Sequence, residues 1–218
     1  MNQGIVEPYI DQAINIENQN AMSQGEVINS QEFNAYRLWQ KSGEIAAGTI
    51  LGISLGALFG VVFAFARDSI PGSNNKKKAL ILAAVMLLVI YIVPALKYPA
   101  NPPAVGDPET IYYRETLYIA ILTISGFSAL GLAFLYRKLR NSQVKKIVVP
   151  VIYVGIIATA FMVLPPNPDQ ITASMDLVTS FRIVTGFTIS VFWGLLGLIL
   201  GALWDKTKPH ETAKIATV

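Results

Sequence analysis

The residues of this chain that could do chemistry are charged and amide side chains at the ends of long apolar runs. Glu44 opens one run, Lys97 closes another, and Arg114 and Arg182 lie at the start of two more. Asn101, Asp107 and Glu109 fall in the connector between the second and third runs, K-Y-P-A-N-P-P-A-V-G-D-P-E-T-I, residues 97–111. Carboxylate, amide and carbonyl oxygens can hold a divalent cation, though oxygen sites discriminate poorly between cations. Arginine can pair with a carboxylate or repel a bare cation. Ionisable groups at membrane depth are costly and either pair or line a polar cavity. Candidate partners for the two arginines are Asp107, Glu109, Glu115, Asp169 and Asp176. Glu44, Lys97, Asn101, Asp107, Glu109, Arg114 and Arg182 together read as an outer vestibule or substrate pathway.

Other chemistries find no residues. There is no cysteine and a single histidine, His210, in the polar tail. That removes thiolate metal sites, disulfides and any Ser–His or Cys–His nucleophile set. No glycine loop followed by lysine could cradle a phosphate. The expectation is a protein without catalytic residues and without a bound cofactor. Met86, Met162 and Met175 are scattered and read as packing residues.

The connector has its own structural logic. Four prolines stiffen it, because proline fixes φ and removes a donor. Asp107-Pro108-Glu109 reads as an N-cap, a proline in the first helical turn and an acid favoured by the helix dipole. Pro94, in the last turn of the second run, bends that helix and frees a carbonyl. Lys97 and Arg182 can also snorkel to headgroups.

The elements that must position these residues are membrane helices. The chain is 53 % hydrophobic and 14 % charged. Five apolar runs, at residues 43–66, 79–96, 111–136, 147–164 and 183–204, approach or exceed the roughly 20 residues that cross a bilayer. The expected fold is an all-α polytopic bundle occupying 42–205. Basic residues cluster in alternate loops: Arg67, Lys76, Lys77 and Lys78, then Arg137, Lys138, Arg140, Lys145 and Lys146, then Lys206, Lys208 and Lys214. The positive-inside rule places the N-terminus and the proline loop outside, and the tail 206–218 in the cytoplasm.

Residues 1–41 form a polar extension without the pattern of a signal peptide. Its later half reads as a short interfacial helix. Asn29 and Glu32 resemble a capping box, and Phe33, Tyr36 and Trp39 recur at helical spacing. Gly48, Gly52, Gly56 and Gly60 line one face of the first span, which lets another backbone approach. Gly194, Gly197 and Gly201 give the fifth span a weaker version. Spans 2–3 and 4–5 form two hairpins whose outer turns share an N-P pair, an acid and a following arginine, a pattern suggesting a parallel repeat.

The proline-rich loop with Tyr113 and Arg114, the glycine-rich first span G-T-I-L-G-I-S-L-G-A-L-F-G, and the Phe181-Arg182 pair closely resemble the CbtA family of cobalt transporter subunits. The resemblance covers roughly 44–204, and the polar stretch before about Phe33 stands as peculiar to this chain. It implies a five-span subunit of a cobalt, cobalamin-related uptake system in the cell membrane. It also implies a small single-span partner bearing a histidine motif, of the CbtB type, which would supply a selective ligand. Cobalt would be the cargo. A different class, a non-transporting structural or assembly subunit of a larger membrane complex, would use the same loop and glycine face as docking surfaces.

Overall fold

The computed structural model describes residues 2–207 apart from 26, 28, 104 and 172. The tail from 208, with Lys208, His210 and Lys214, lies outside the described residues. Every regular element among the described residues is helical: α1 (Asn2–Ile5), α2 (Glu7–Ser23), α3 (Ser30–Ala66), α4 (Asn75–Lys97), α5 (Pro108–Lys138), α6 (Ser142–Val163) and α7 (Met175–Thr207). The last five are long and apolar enough to cross a membrane. The chain is a multi-pass membrane protein.

Two boundaries differ from the sequence expectation. The short helix expected before the first span does not end: α3 runs unbroken from Ser30 through Ala66. No proline interrupts it, and its glycines weaken a helix without stopping it. Asn29 does cap it, accepting from the Gln31 N–H at 3.0 Å. Tyr36 and Trp39 stack on its exposed surface, with ring centroids 5.9 Å apart. The second difference is α2. It was missed although Val6, Ile10, Ala13 and Ile14 recur at helical spacing, because they sit in an Asn- and Gln-rich stretch.

The chain divides into two compact units, Met1–Ala83 with Pro102–Ala104 and Ala173–Val218, and Ala84–Asn101 with Val105–Thr172. The first unit is built on α3 and α7. Phe59 and Phe63 are fully buried. They meet Trp193 and Trp204 edge-on, at centroid distances of 6.1 and 5.1 Å. The Arg67 guanidinium lies 5.7 Å from the Trp204 ring, a cation–π contact that places a basic residue at the end of α3.

Close backbone packing in this unit comes from α7. A Cβ on Gly201 would lie 2.5 Å from the Lys76 Cα, and one on Gly197 would lie 3.0 Å from the Ala83 Cβ. The first turns of α4 therefore rest directly on α7, and Asn75 Nδ2 donates to Asp205 Oδ1 at 2.7 Å. At Gly48, Gly52 and Gly60 a Cβ would meet nothing within 4 Å, and at Gly56 only the tip of Leu196 at 3.8 Å. Span 1 does contact span 5, but through its phenylalanines rather than its glycine row.

The N-terminal helix is held by charge. Arg37 Nη2 lies 2.7 Å from Glu7 Oε1 and 2.6 Å from Asp11 Oδ1. Lys41 Nζ lies 3.3 and 3.2 Å from the same two carboxylates. Val6, Ala13 and Ile14 are buried beside this clasp, and α2 also touches α7. Burial raises the Asp11 pKa, but hydrogen bonds from Arg37 and Lys41 outweigh it and hold the carboxyl below its ordinary value. A lowered folded pKa gives stability that is present above the unfolded carboxylate pKa and lost as pH falls through the folded one.

Two outcomes follow. Below the ordinary aspartate value of about 4, α2 should release while the spans stay intact. Hydrogen exchange over Glu7–Ser23 should rise there, and Asp11→Asn should show the same rise at neutral pH. Gly201→Val should reduce the amount of chain in the membrane, because Lys76 cannot move aside as backbone. Gly52→Ala should leave it unchanged, as immunoblots of membrane fractions would show.

Candidate functional site

The second unit contains the proline-rich connector after α4, and one carboxylate joins it to the turn after α6. Asp169, from the turn after α6, has a side chain 6 % exposed. It lies 2.9 Å from Arg114 Nε and accepts from the Asp107 N–H at 3.0 Å. Thr110 Oγ1 lies 2.8 Å from both Asp169 oxygens and 2.9 Å from the Asp107 carbonyl. With one proton, Thr110 serves one of these acceptors at a time, while it accepts from Arg114 Nε at 3.1 Å. Arg114 Nη2 also donates to the Asp107 carbonyl at 3.0 Å. Asn167 fixes the Asp169 backbone by accepting from its N–H at 3.1 Å.

Local sequence builds each half of this clasp. Asp107 accepts from the Glu109 N–H at 2.9 Å and starts α5 through Pro108–Thr110. One turn on, Thr110 and Arg114 share a helix face, the i and i+4 relation. Gly106 has φ +111°, and a Cβ there would sit 2.6 Å from Asp169 Oδ2 and 2.7 Å from Arg114 Nη1. Glycine is required twice over, for conformation and for space. Gly106, Asp107, Thr110, Pro168, Asp169 and Gln170 line an open cavity of about 430 Å³.

A second link lies beside it. Lys97 Nζ donates to the Phe161 carbonyl at 2.8 Å. In a regular helix that carbonyl would take the N–H of residue 165, but Pro165 has none. Lys97 thus fills a vacancy at the C-terminal end of α6, where a cation also suits the helix dipole. Tyr98 Oη donates to the Pro165 carbonyl. Burial first, then Tyr113, pushes the Tyr98 phenol above its usual pKa and keeps it a donor.

The expected site residues therefore divide. Asp107, Glu109 and Arg114 come together at the clasp, while Lys97 holds the end of α6. Asn101 is half-buried in the connector and engaged with neighbours. Glu44 and Arg182, both half-buried, belong to the first unit, and Arg182 is likewise engaged. Of the five acids weighed as partners for the arginines, Asp169 is the one paired with Arg114, while Glu115 is exposed. Gly106 and Thr110 were missed. The signal for Thr110 was its place four residues before Arg114.

The clasp changes the electrostatics expected of this loop. Arg114 is balanced by Asp169, so it is not a lone cation facing solvent. Asp107 and Glu109 stay exposed beside the cavity. Among the described residues no three His, Cys, Asp or Glu side chains converge as a metal site.

The description that fits this assembly of helices and loop is that of a probable cobalt transporter subunit, whose family profile matches residues 1–205. The chain belongs to the CbtA family. The match begins at residue 1, so the polar N-terminal stretch is not peculiar to this chain, contrary to the expectation from the loop and span motifs alone. Those motifs lie in the apolar part, whereas the docked α2 carries no comparable signature. No curated protein and no solved structure gives a significant match.

If the clasp holds the turns after α4 and α6 together, its members should matter unequally. Asp169→Ala removes the acceptor that three donors share and leaves the Asp107 N–H without one, whereas Arg114→Ala leaves Asp169 with two donors. An unmet buried donor or acceptor costs about 1–3 kcal/mol. Asp169→Ala should therefore lower thermal stability in detergent more than Arg114→Ala, and Gly106→Ala should behave like a clasp mutant. Equal melting temperatures for Asp169→Ala and wild type would contradict this assignment.

Proposed function

We propose that this CbtA-family chain is the membrane subunit of a cobalamin-related cobalt uptake system in the cytoplasmic membrane. The family match over residues 1–205 carries the reading. In this reading the N-terminus and both outer turns of the second unit face outside, as the basic loops argue. The cavity beside the clasp is the outer vestibule. Asp107 and Glu109 raise the local concentration of a hydrated divalent cation there. Lys97, Asn101 and Arg114 hold the vestibule wall, and the same topology assigns Glu44 and Arg182, in the first unit, to outer ends of their own spans.

Selectivity is assigned to a neighbour. Oxygen donors accept cobalt and the commoner divalent ions alike, whereas imidazole favours cobalt over magnesium and calcium. A small single-span subunit with a histidine motif, of the CbtB type, supplies that ligand. The row Gly48, Gly52, Gly56 and Gly60, largely open within this chain, is where such a helix can approach. Any ATP coupling would likewise come from another subunit, since the sequence has no nucleotide-binding loop.

Deleting the gene and growing cells at limiting cobalt tests the reading by mass spectrometry of cell metal. Cellular cobalt and cobalamin should both fall and recover on complementation. Unchanged levels, with the chain co-migrating with a different membrane complex on native gels, would favour the assembly-subunit reading instead.

A further inference from the structure

One face of α5 carries Thr110, Arg114, Tyr118, Ile121 and Ser125, at steps of three and four residues. Its outer end belongs to the clasp. The next layer is dry: Leu117 and Ile121 pack with Tyr98 and Ala160 in a buried cluster, and Ile121 has no exposed surface. Farther along the face polarity returns. Ser125 is fully buried, with Oγ 2.6 Å from the Val89 carbonyl oxygen and 2.7 Å from Tyr153 Oη.

The direction of these bonds follows from proton count. A carbonyl can only accept, so the single Ser125 proton goes to Val89, and Tyr153 must donate to Ser125. The Val89 carbonyl needs that donor for a local reason. Residues Leu88–Ile92 form a π-turn, and the Val93 N–H bonds Leu88 rather than Val89. The next residue is Pro94, which has no N–H to give. A π-turn next to a proline has thus freed a carbonyl inside a membrane helix; Ser125 from α5 donates to it, and Tyr153 from α6 donates to Ser125 in turn. Such turns recur at functional sites, and freed carbonyls in transporter helices coordinate ions.

We propose that Val89 O, Ser125 Oγ and Tyr153 Oη form an inner cation station, separated from the outer vestibule by the Tyr98–Leu117–Ile121–Ala160 layer acting as a dry gate. It rests on the transport reading above and deepens it. The station takes a partly hydrated divalent cation through uncharged oxygens. To bind it, Ser125 exchanges its hydrogen bond to the carbonyl for a bond from its lone pair to the ion. Without a carboxylate the site is shallow, which lets the ion leave again.

The absence of cysteine allows a direct test in membranes holding the full chain with its partners. Ser125→Cys is exposed on both faces to charged 2-aminoethyl methanethiosulfonate, with Phe127→Cys, whose parent side chain is 71 % exposed on the helix surface, as the lipid-facing comparison. Thiolates form in contact with water, so Ser125→Cys should label about tenfold faster or more. Adding Ile121→Ala should speed it further. Tyr153→Phe keeps the Ser125–Val89 bond and removes one ligand. It should lower cobalt(II) uptake about tenfold at normal membrane level and change the ratio of cobalt to nickel taken up, which a merely weakened fold would not. Labelling of Ser125→Cys no faster than Phe127→Cys, or an unchanged uptake and ratio in Tyr153→Phe, would overturn the station. If the unsubstituted chain carries no cobalt, the transport reading falls by itself, and the labelling rate still decides the station.

Discussion

Backbone amides and carbonyls inside a bilayer have no water to turn to, and each unmet one costs several kcal/mol. This chain places prolines where that constraint is most severe. Pro94 and the π-turn before it leave the Val89 carbonyl without a helical donor, and Ser125 reaches across from α5 to supply one. Pro165 leaves the Phe161 carbonyl in the same condition, and Lys97 supplies it from α4. Each repair comes from a neighbouring helix. The prolines therefore do more than bend their own segments, because they oblige helices of the second unit to meet at fixed points.

The turns after α4 and α6 obey the same accounting with charge added. Asp169 is buried and ionisable, so it needs several donors rather than one. It finds the Arg114 guanidinium, the Asp107 amide and Thr110, all on the opposite turn. Gly106 makes room for this. Once Arg114 is spent on Asp169, the exposed acids Asp107 and Glu109 set the sign of the cavity mouth.

Parts of this were legible in the chain. The Asp107 cap, the proline-freed carbonyl near Pro94 and five spans follow from rules that act within a few residues. Other parts were not. Five acids were plausible partners for Arg114, and Asp169 is 55 positions away in sequence, where no local rule reaches. The two glycine rows looked alike, with span 1 the stronger. Yet only Gly197 and Gly201 meet a backbone, because small residues permit close approach and the approaching surface must be supplied. Helix α2 was missed, since its apolar stripe of Val6, Ile10, Ala13 and Ile14 is short and its charged partners Arg37 and Lys41 lie on another helix.

By itself the sequence determined that this chain has five membrane-spanning helices and a stiff acidic loop between the second and third, because length, apolarity and proline act locally and tolerate no other solvent. Only the tertiary structure decided which carboxylate neutralises Arg114, which donors reach the carbonyls that proline abandoned, and which glycines touch. Those choices depend on how helices far apart in sequence come within three ångströms of one another, and nothing short of packing fixes that distance.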